Sequence, residues 1–354
     1  MPSNKKSSVE KTIKTLKLVS FAALLIGIAA IVVGIYAYLG AQNAISIAST
    51  AAKSTNTTVK LIALNVTSSL ITPNDTYPGY PVITQNQSFG SRLTNINAPL
   101  NSSELSIINN APDSYFTHAG ELLLSGSFQG VGLNRPDNSS TLMVNGKPTV
   151  IYLGAISCVY CAENRWAMAL ALSRFGNFSA LYKGYSALKD ADLPTLFWRP
   201  VAYNATAEMN LGSFYSSKYL NFLPLEFASN IYSGFNFAPL SQVQSMVASN
   251  NNAAYDAAVN VIVANNNFAG TPYTIWGRYS VGGADASIFS NGTTTIMNMT
   301  HEQILHQIAY PTNTFGYAEY GAADIYIALL CKSINNTAPA CGMNTITAIA
   351  SRLT

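Results

Sequence analysis

The stretch Val150-Ile151-Tyr152-Leu153-Gly154-Ala155-Ile156-Ser157-Cys158-Val159-Tyr160-Cys161-Ala162-Glu163-Asn164-Arg165-Trp166 decides how this chain folds. Its first residues form a short apolar run of strand character. A turn follows, and two cysteines spaced C-x-x-C stand where the chain enters a helix. That helix continues through Ala167 to Leu172 and is predicted to stop near Gly176, a residue suited to the left-handed C-terminal position. A cysteine at a helix N-terminus sits among unpaired N–H groups and the positive end of the helix dipole. Both favour a thiolate and lower the thiol pKa. A second cysteine nearly one turn on is close enough to attack a mixed disulfide formed by the first.

Working outward, Asn145-Gly146-Lys147-Pro148 is a turn signal directly ahead of a strand at Thr149–Ala155. Ser102–Asn110 reads as a short helix capped by Ser102 or Ser103. Beyond the cysteine helix, Pro194 bounds a strand at Thr195–Trp198, and Tyr215–Phe227 is aromatic-rich and extended in character. Its aromatics read as packing rather than a ligand site. Leu240–Ala264 suggests helix, interrupted by Asn250-Asn251-Asn252. Gly270-Thr271-Pro272 leads into an alternating strand that turns at Gly282-Gly283. Thr300-His301-Glu302-Gln303 is a capping box with Ile304, Leu305 and Ile308 behind it, and Tyr317–Cys331 reads as another apolar helix.

Leu18–Gly40 is an apolar run without a charge. At about 1.5 Å per residue it spans a hydrocarbon core of roughly 30 Å. Lys5, Lys6, Lys11, Lys14 and Lys17 precede it, and Tyr36 and Tyr38 stand near its far end. The positive-inside rule then keeps residues 1–17 cytoplasmic and sends everything after residue 40 to the outer face. The competing reading is a cleaved signal peptide, whose apolar core is shorter, about 7–15 residues. Residues 41–100, rich in Ser, Thr and Asn, read as a linker and the start of the ectodomain.

Of the chain's 19 basic and 16 acidic residues, the five lysines and Glu10 lie ahead of the apolar run, which leaves 14 basic and 15 acidic beyond it. No basic face emerges, so nucleic-acid binding has no support. Charged residues make up 10% of the 354, against about 25% in ordinary soluble proteins. Asn, Ser, Thr and Tyr supply the polar surface instead. N-x-S/T sequons recur from Asn56 to Asn335 and none falls in the first 40 residues, which agrees with an exported, glycosylated surface.

With C-x-x-C after a strand and Thr271-Pro272 before a later one, the chain resembles the thioredoxin-like superfamily. More narrowly it is similar to an archaeal family of membrane-anchored proteins, domain-of-unknown-function family 929. The carrying residues are Asn145–Pro148, Tyr152–Ala155, Cys158, Cys161, Glu163, Arg165-Trp166 and Ala171–Gly176, with the terminal pair Cys331 and Cys341. The resemblance implies an α/β, three-layer thioredoxin-like domain over 101–354, with an insertion at about 183–265. It makes Cys158 the attacking and Cys161 the resolving thiol. It places a cis-proline, Pro272, beside them, with the Thr271 backbone pairing to bound substrate. Ser157 stands where thioredoxins carry Trp.

The bland readings stand beside the sharp ones. Cys158 and Cys161 also read as an inert disulfide or half of a zinc site, although the ten-residue step between Cys331 and Cys341 matches a zinc knuckle poorly. Cys331 and Cys341 read as a structural disulfide in an exported domain, with a redox relay as the lesser reading. Glu163 and Arg165 read as a solvated helix face or, less often, as thiolate tuners; Trp166 reads as core or groove lining. His118, His301 and His306 are scattered and show no pairing with a cysteine.

The expectation is a single-pass, extracytoplasmic thiol–disulfide oxidoreductase with no metal. It needs no bound cofactor, because the electrons travel in the dithiol. Its partners are protein thiols or disulfides, the lipid bilayer through residues 18–40, and a membrane redox partner. The alternative is a redox-inactive, glycosylated cell-surface binding or structural protein on the same scaffold.

Overall fold

In a computed structural model of the chain, the described residues are 96–125, 141–187, 192–201, 208–228, 240–265, 270–282, 296, 299–311, 314–334 and 337–353. The basic tail, the span at 18–40 and nearly all of the linker at 41–100 lie outside them. Among the described residues no helix is long and apolar enough to cross a membrane.

Asn101, not Ser102 or Ser103, caps helix α1 (Ser102–Asn109). Its side chain accepts from the Ser103 and Glu104 N–H groups while the Glu104 carboxylate reaches back to the Asn101 N–H, a full capping box. Helix α2 (Asp113–Ser125) follows. Strands β1 (Met143–Val144) and β2 (Lys147–Ala155) meet at Asn145-Gly146, with φ of 51° and 75°. Two positive φ values are what a two-residue hairpin of this hand requires, and Asn-Gly tolerates both.

From β2 the chain enters α3 (Val159–Ser173) and then β3 (Gly176–Ala180), β4 (Tyr182–Tyr185) and β5 (Pro194–Phe197). Gly176 does not terminate the helix in a left-handed conformation. The C-cap is Arg174 in the right-handed region, and Gly176 instead starts β3. A Cβ there would come 2.2 Å from the Ser216 carbonyl oxygen, so the strand pairing needs the glycine. Strands β6 (Glu208–Leu211), β7 (Phe214–Ser217) and β8 (Asn221–Ala228) come next. Helices α4 (Leu240–Ala248) and α5 (Ala253–Ala264) then divide at the asparagine cluster, where Asn252 caps α5. Strands β9 (Tyr273–Trp276) and β10 (Tyr279–Gly282) precede α6 (His301–Ala309), α7 (Thr314–Ser333) and α8 (Asn344–Arg352). Thr300 caps α6 through its capping box.

The main sheet is mixed, in the order β10-β9-β2-β8-β6, with β1 paired to the start of β2. β8 runs parallel to β2 from Thr149↔Asn221 to Ala155↔Phe227, and β9 runs antiparallel on its other side. Within the range 183–265, β6 and β8 belong to the main sheet. Pro224 in the middle of β8 removes a ladder donor and argues against a central strand when read from sequence alone.

β2 is buried on both faces from Thr149 to Ala155, and successive residues join opposite sides. Val150 and Tyr152 pack with α3 and α7, while Ile151, Leu153 and Ala155 pack with Val243, Val259 and Ile262 of α4 and α5. The sheet is thus covered on both faces.

Candidate active site

Two thiols stand where β2 passes into α3, Cys158 just ahead of the helix and Cys161 in its first turn. Cys158 is the N-cap of α3, and its Sγ accepts from the Cys161 N–H at 3.3 Å. Cys158 is half-buried, whereas Cys161 is fully buried; both are free thiols. A hydrogen bond from the Cys161 thiol lowers the Cys158 pKa to about 7 against the opposing effect of burial. The Cys161 N–H, the Thr271 side chain and the Arg165 charge act in the same downward direction. Burial raises the Cys161 pKa, and the Cys158 thiolate beside it raises it further. Cys158 is thus the more readily ionised of the two thiols.

The Thr271-Pro272 bond is cis. Although 113 residues separate them, the Thr271 carbonyl oxygen lies 3.6 Å from Cys158 Sγ, where the thiol donates to it. The turn entering β9 therefore borders the Cys158 sulfur. Tyr160, between the two cysteines, is 42% exposed and sits on the solvent side of the same turn.

Ala155, the last residue of β2, joins the two thiols to a buried ion pair. Its N–H donates to Cys161 Sγ at 3.5 Å, and its carbonyl accepts from the Cys158 N–H at 3.2 Å. The same carbonyl accepts from Arg165 Nη2 at 3.0 Å. Arg165 is fully buried and is held by Glu226 of β8, whose Oε1 accepts from Nε at 2.8 Å and from Nη2 at 2.5 Å. Burial opposes a charge on Arg165, but Glu226, Tyr152 and Cys161 more than restore it. Gly154 lies opposite Glu226 in register and brings no side chain to this face, so the Tyr152 ring lies over it.

Several sequence expectations change here. Glu163 and Arg165 are not on a solvated face; both are buried, because α3 is enclosed by the sheet, α7 and the β4–β5 pair. Burial raises the Glu163 pKa to about 8. Trp166 is core, donating to the Pro194 carbonyl at 3.1 Å. His301 is buried, with Nε2 2.8 Å from the Gly184 and 2.9 Å from the Thr195 carbonyl oxygen, and burial lowers its pKa to about 4. His118 lies beside Glu121 on the surface.

Cys331 and Cys341 form a disulfide with each other, Cα–Cα 5.4 Å, so they are not ligands completing a site with Cys158 and Cys161. Among the described residues no group of three metal-ligating side chains is present. The sequence reading gave no role to Glu226 or to the backbone of Ala155. A lone acid in the apolar strand NFLPLEFA was the available signal, because buried charge demands a partner.

Residues 137–266 match a domain of unknown function, DUF929. The match supports the family resemblance carried by the cysteine stretch. The DUF929 segment holds both thiols, Ala155, Arg165 and Glu226, and it ends short of Thr271 and Pro272. No curated protein and no solved structure matches the chain.

Proposed function

We propose that this chain is a membrane-anchored thiol–disulfide oxidoreductase acting on the outer side of the membrane. The observation that carries the reading is the pairing of a half-exposed N-cap thiol with a buried thiol one turn later, next to the Thr271-Pro272 turn. The strand order β10-β9-β2-β8, with C-x-x-C at the start of the helix after β2, supports a thioredoxin-like scaffold. The five lysines ahead of Leu18–Gly40 support the anchor and its orientation.

In the direction that reduces substrate, the Cys158 thiolate attacks one sulfur of a substrate disulfide. The substrate S–S bond breaks, one substrate thiolate leaves, and a Cys158–substrate disulfide forms. Cys161 then attacks Cys158 Sγ. The mixed disulfide breaks, the Cys158–Cys161 bond forms, and the Cys161 proton ends on the second departing thiolate. Two electrons pass to the substrate. Run backwards, the same steps oxidise a substrate dithiol. The substrate chain lies against Thr271, Pro272 and Tyr160, the groups around the attacking sulfur.

Alkylation of the reduced protein with iodoacetamide over a pH series tests the reading. Cys158 is expected to react with a midpoint near pH 7, and Cys161→Ser to trap mixed disulfides with protein substrates. A Cys158–Cys161 bond that resists reduction in the folded chain would point instead to a redox-inactive scaffold.

A further inference from the structure

We infer that Arg165, held in place by Glu226, is the positioning residue for the second step, in which the buried Cys161 attacks the mixed disulfide. This rests on the exchange reading and adds a step-specific role to it. Cys161 must lose its proton in an enclosed site before it can attack. Once Cys158 is tied to substrate, its thiolate no longer holds the Cys161 proton. Burial is then opposed by two things near the sulfur: the Arg165 charge and the Ala155 N–H, 3.5 Å from Sγ.

Arg165 supports both. Its guanidinium donates to the Ala155 carbonyl at 3.0 Å, which fixes the strand end that presents the N–H, and its charge favours the Cys161 thiolate. Nη1 also reaches Thr195 Oγ1 at 3.4 Å, and that hydroxyl donates to the Ala162 carbonyl at 2.7 Å, so the first turn of α3 is held from the same residue. The effect is unequal between the thiols. Arg165 holds Ala155, whose N–H reaches the Cys161 sulfur, while the Cys158 sulfur accepts from the Cys161 N–H instead. The first step already has the N-cap position and the Cys161 N–H; the second depends on the Ala155 N–H.

The reduced full-length chain with 5,5′-dithiobis(2-nitrobenzoate) separates the steps, because each releases one coloured thiolate. The first release reports Cys158 attack and the second reports Cys161 resolution, which Cys161→Ser abolishes. Replacing the pair together, Arg165→Met with Glu226→Leu, leaves no unpaired buried charge. In that variant the second release is expected to slow about tenfold at pH 7, its pH midpoint rising by about one unit, with the first changed less than about threefold. Glu226→Gln leaves Arg165 uncompensated and is expected to do the reverse, speeding the second release and lowering its midpoint. It also decides the matter if the double variant does not fold. Equal slowing of both releases, or an unmoved second-release midpoint in a folded variant, overturns the role of Arg165 and leaves the exchange reading standing. A wild-type chain with no fast first release overturns both.

Discussion

Glu163 on α3 and Glu319 on α7 lie within electrostatic reach of each other inside the packed helix interface, each about 3% exposed. Neither has an ion-pair partner among the described residues. Burial lifts Glu163 to about 8; burial and then the Glu163 charge lift Glu319, and burial lifts Asp324 on the same helix. In the unfolded chain such carboxyls titrate near about 4. Between there and about pH 8 the folded chain keeps protons that the unfolded chain has released, so stability falls as pH rises. His301, lowered to about 4 by burial, acts oppositely, but only below its unfolded value of about 6.5. With Cys158 and Cys161 replaced by serine, unfolding free energy is therefore expected to fall from pH 6.5 to 8. Glu163→Gln should flatten that fall by up to about 1.4 kcal/mol per pH unit. Urea unfolding across the interval measures it, and an unchanged slope in Glu163→Gln would rule the assignment out.

The β2–turn–α3 unit was legible because each of its signals is local: an apolar run, an Asn-Gly turn, a cysteine at the cap. The same holds for the Thr300 capping box and the asparagine break between α4 and α5. What escaped was decided by neighbours. α3 looks amphipathic enough to show a charged face, yet it is buried around its circumference, which turns Glu163 and Arg165 into interior groups. The extended character of Tyr215–Phe227 was legible, but Pro224 concealed that β8 lies inside the main sheet, and with it the Glu226 partner of Arg165. The alignment of Ala155 with both thiols depends on backbone hydrogen bonds, which residue types do not specify.

Tyr152 offers a test of how tightly the face beneath the thiols is packed. Its hydroxyl is buried without a hydrogen-bond partner among the described residues, and its ring lies over Gly154, where a Cβ would come 2.2 Å from the hydroxyl oxygen. Tyr152→Phe removes an unsatisfied polar atom, so the variant is expected to match the wild type or gain about 1 kcal/mol. Gly154→Ala overfills the same space and is expected to cost about 1–3 kcal/mol. Chemical denaturation of the two variants checks both; a clear loss in Tyr152→Phe would mean the hydroxyl is bonded.

The Cys331–Cys341 bridge ties the end of α7 to the short 3-10 turn Pro339–Gly342 ahead of α8. Both sulfur-bearing residues are buried, at 2% and 3% exposure, so the bond is shielded from thiols in solution. Its closed loop is short, with a sequence separation of 10, and the chain-entropy account gives about 2–3 kcal/mol for a loop of that size. Replacing both cysteines by alanine is expected to lower the denaturation midpoint accordingly, while the alkylation profile of Cys158 stays where it was. That combination is what a structural bridge produces. A relay would behave differently: the second cysteine pair would exchange with the first, and its removal would shift the reactivity or the redox equilibrium of Cys158 and Cys161 at unchanged stability.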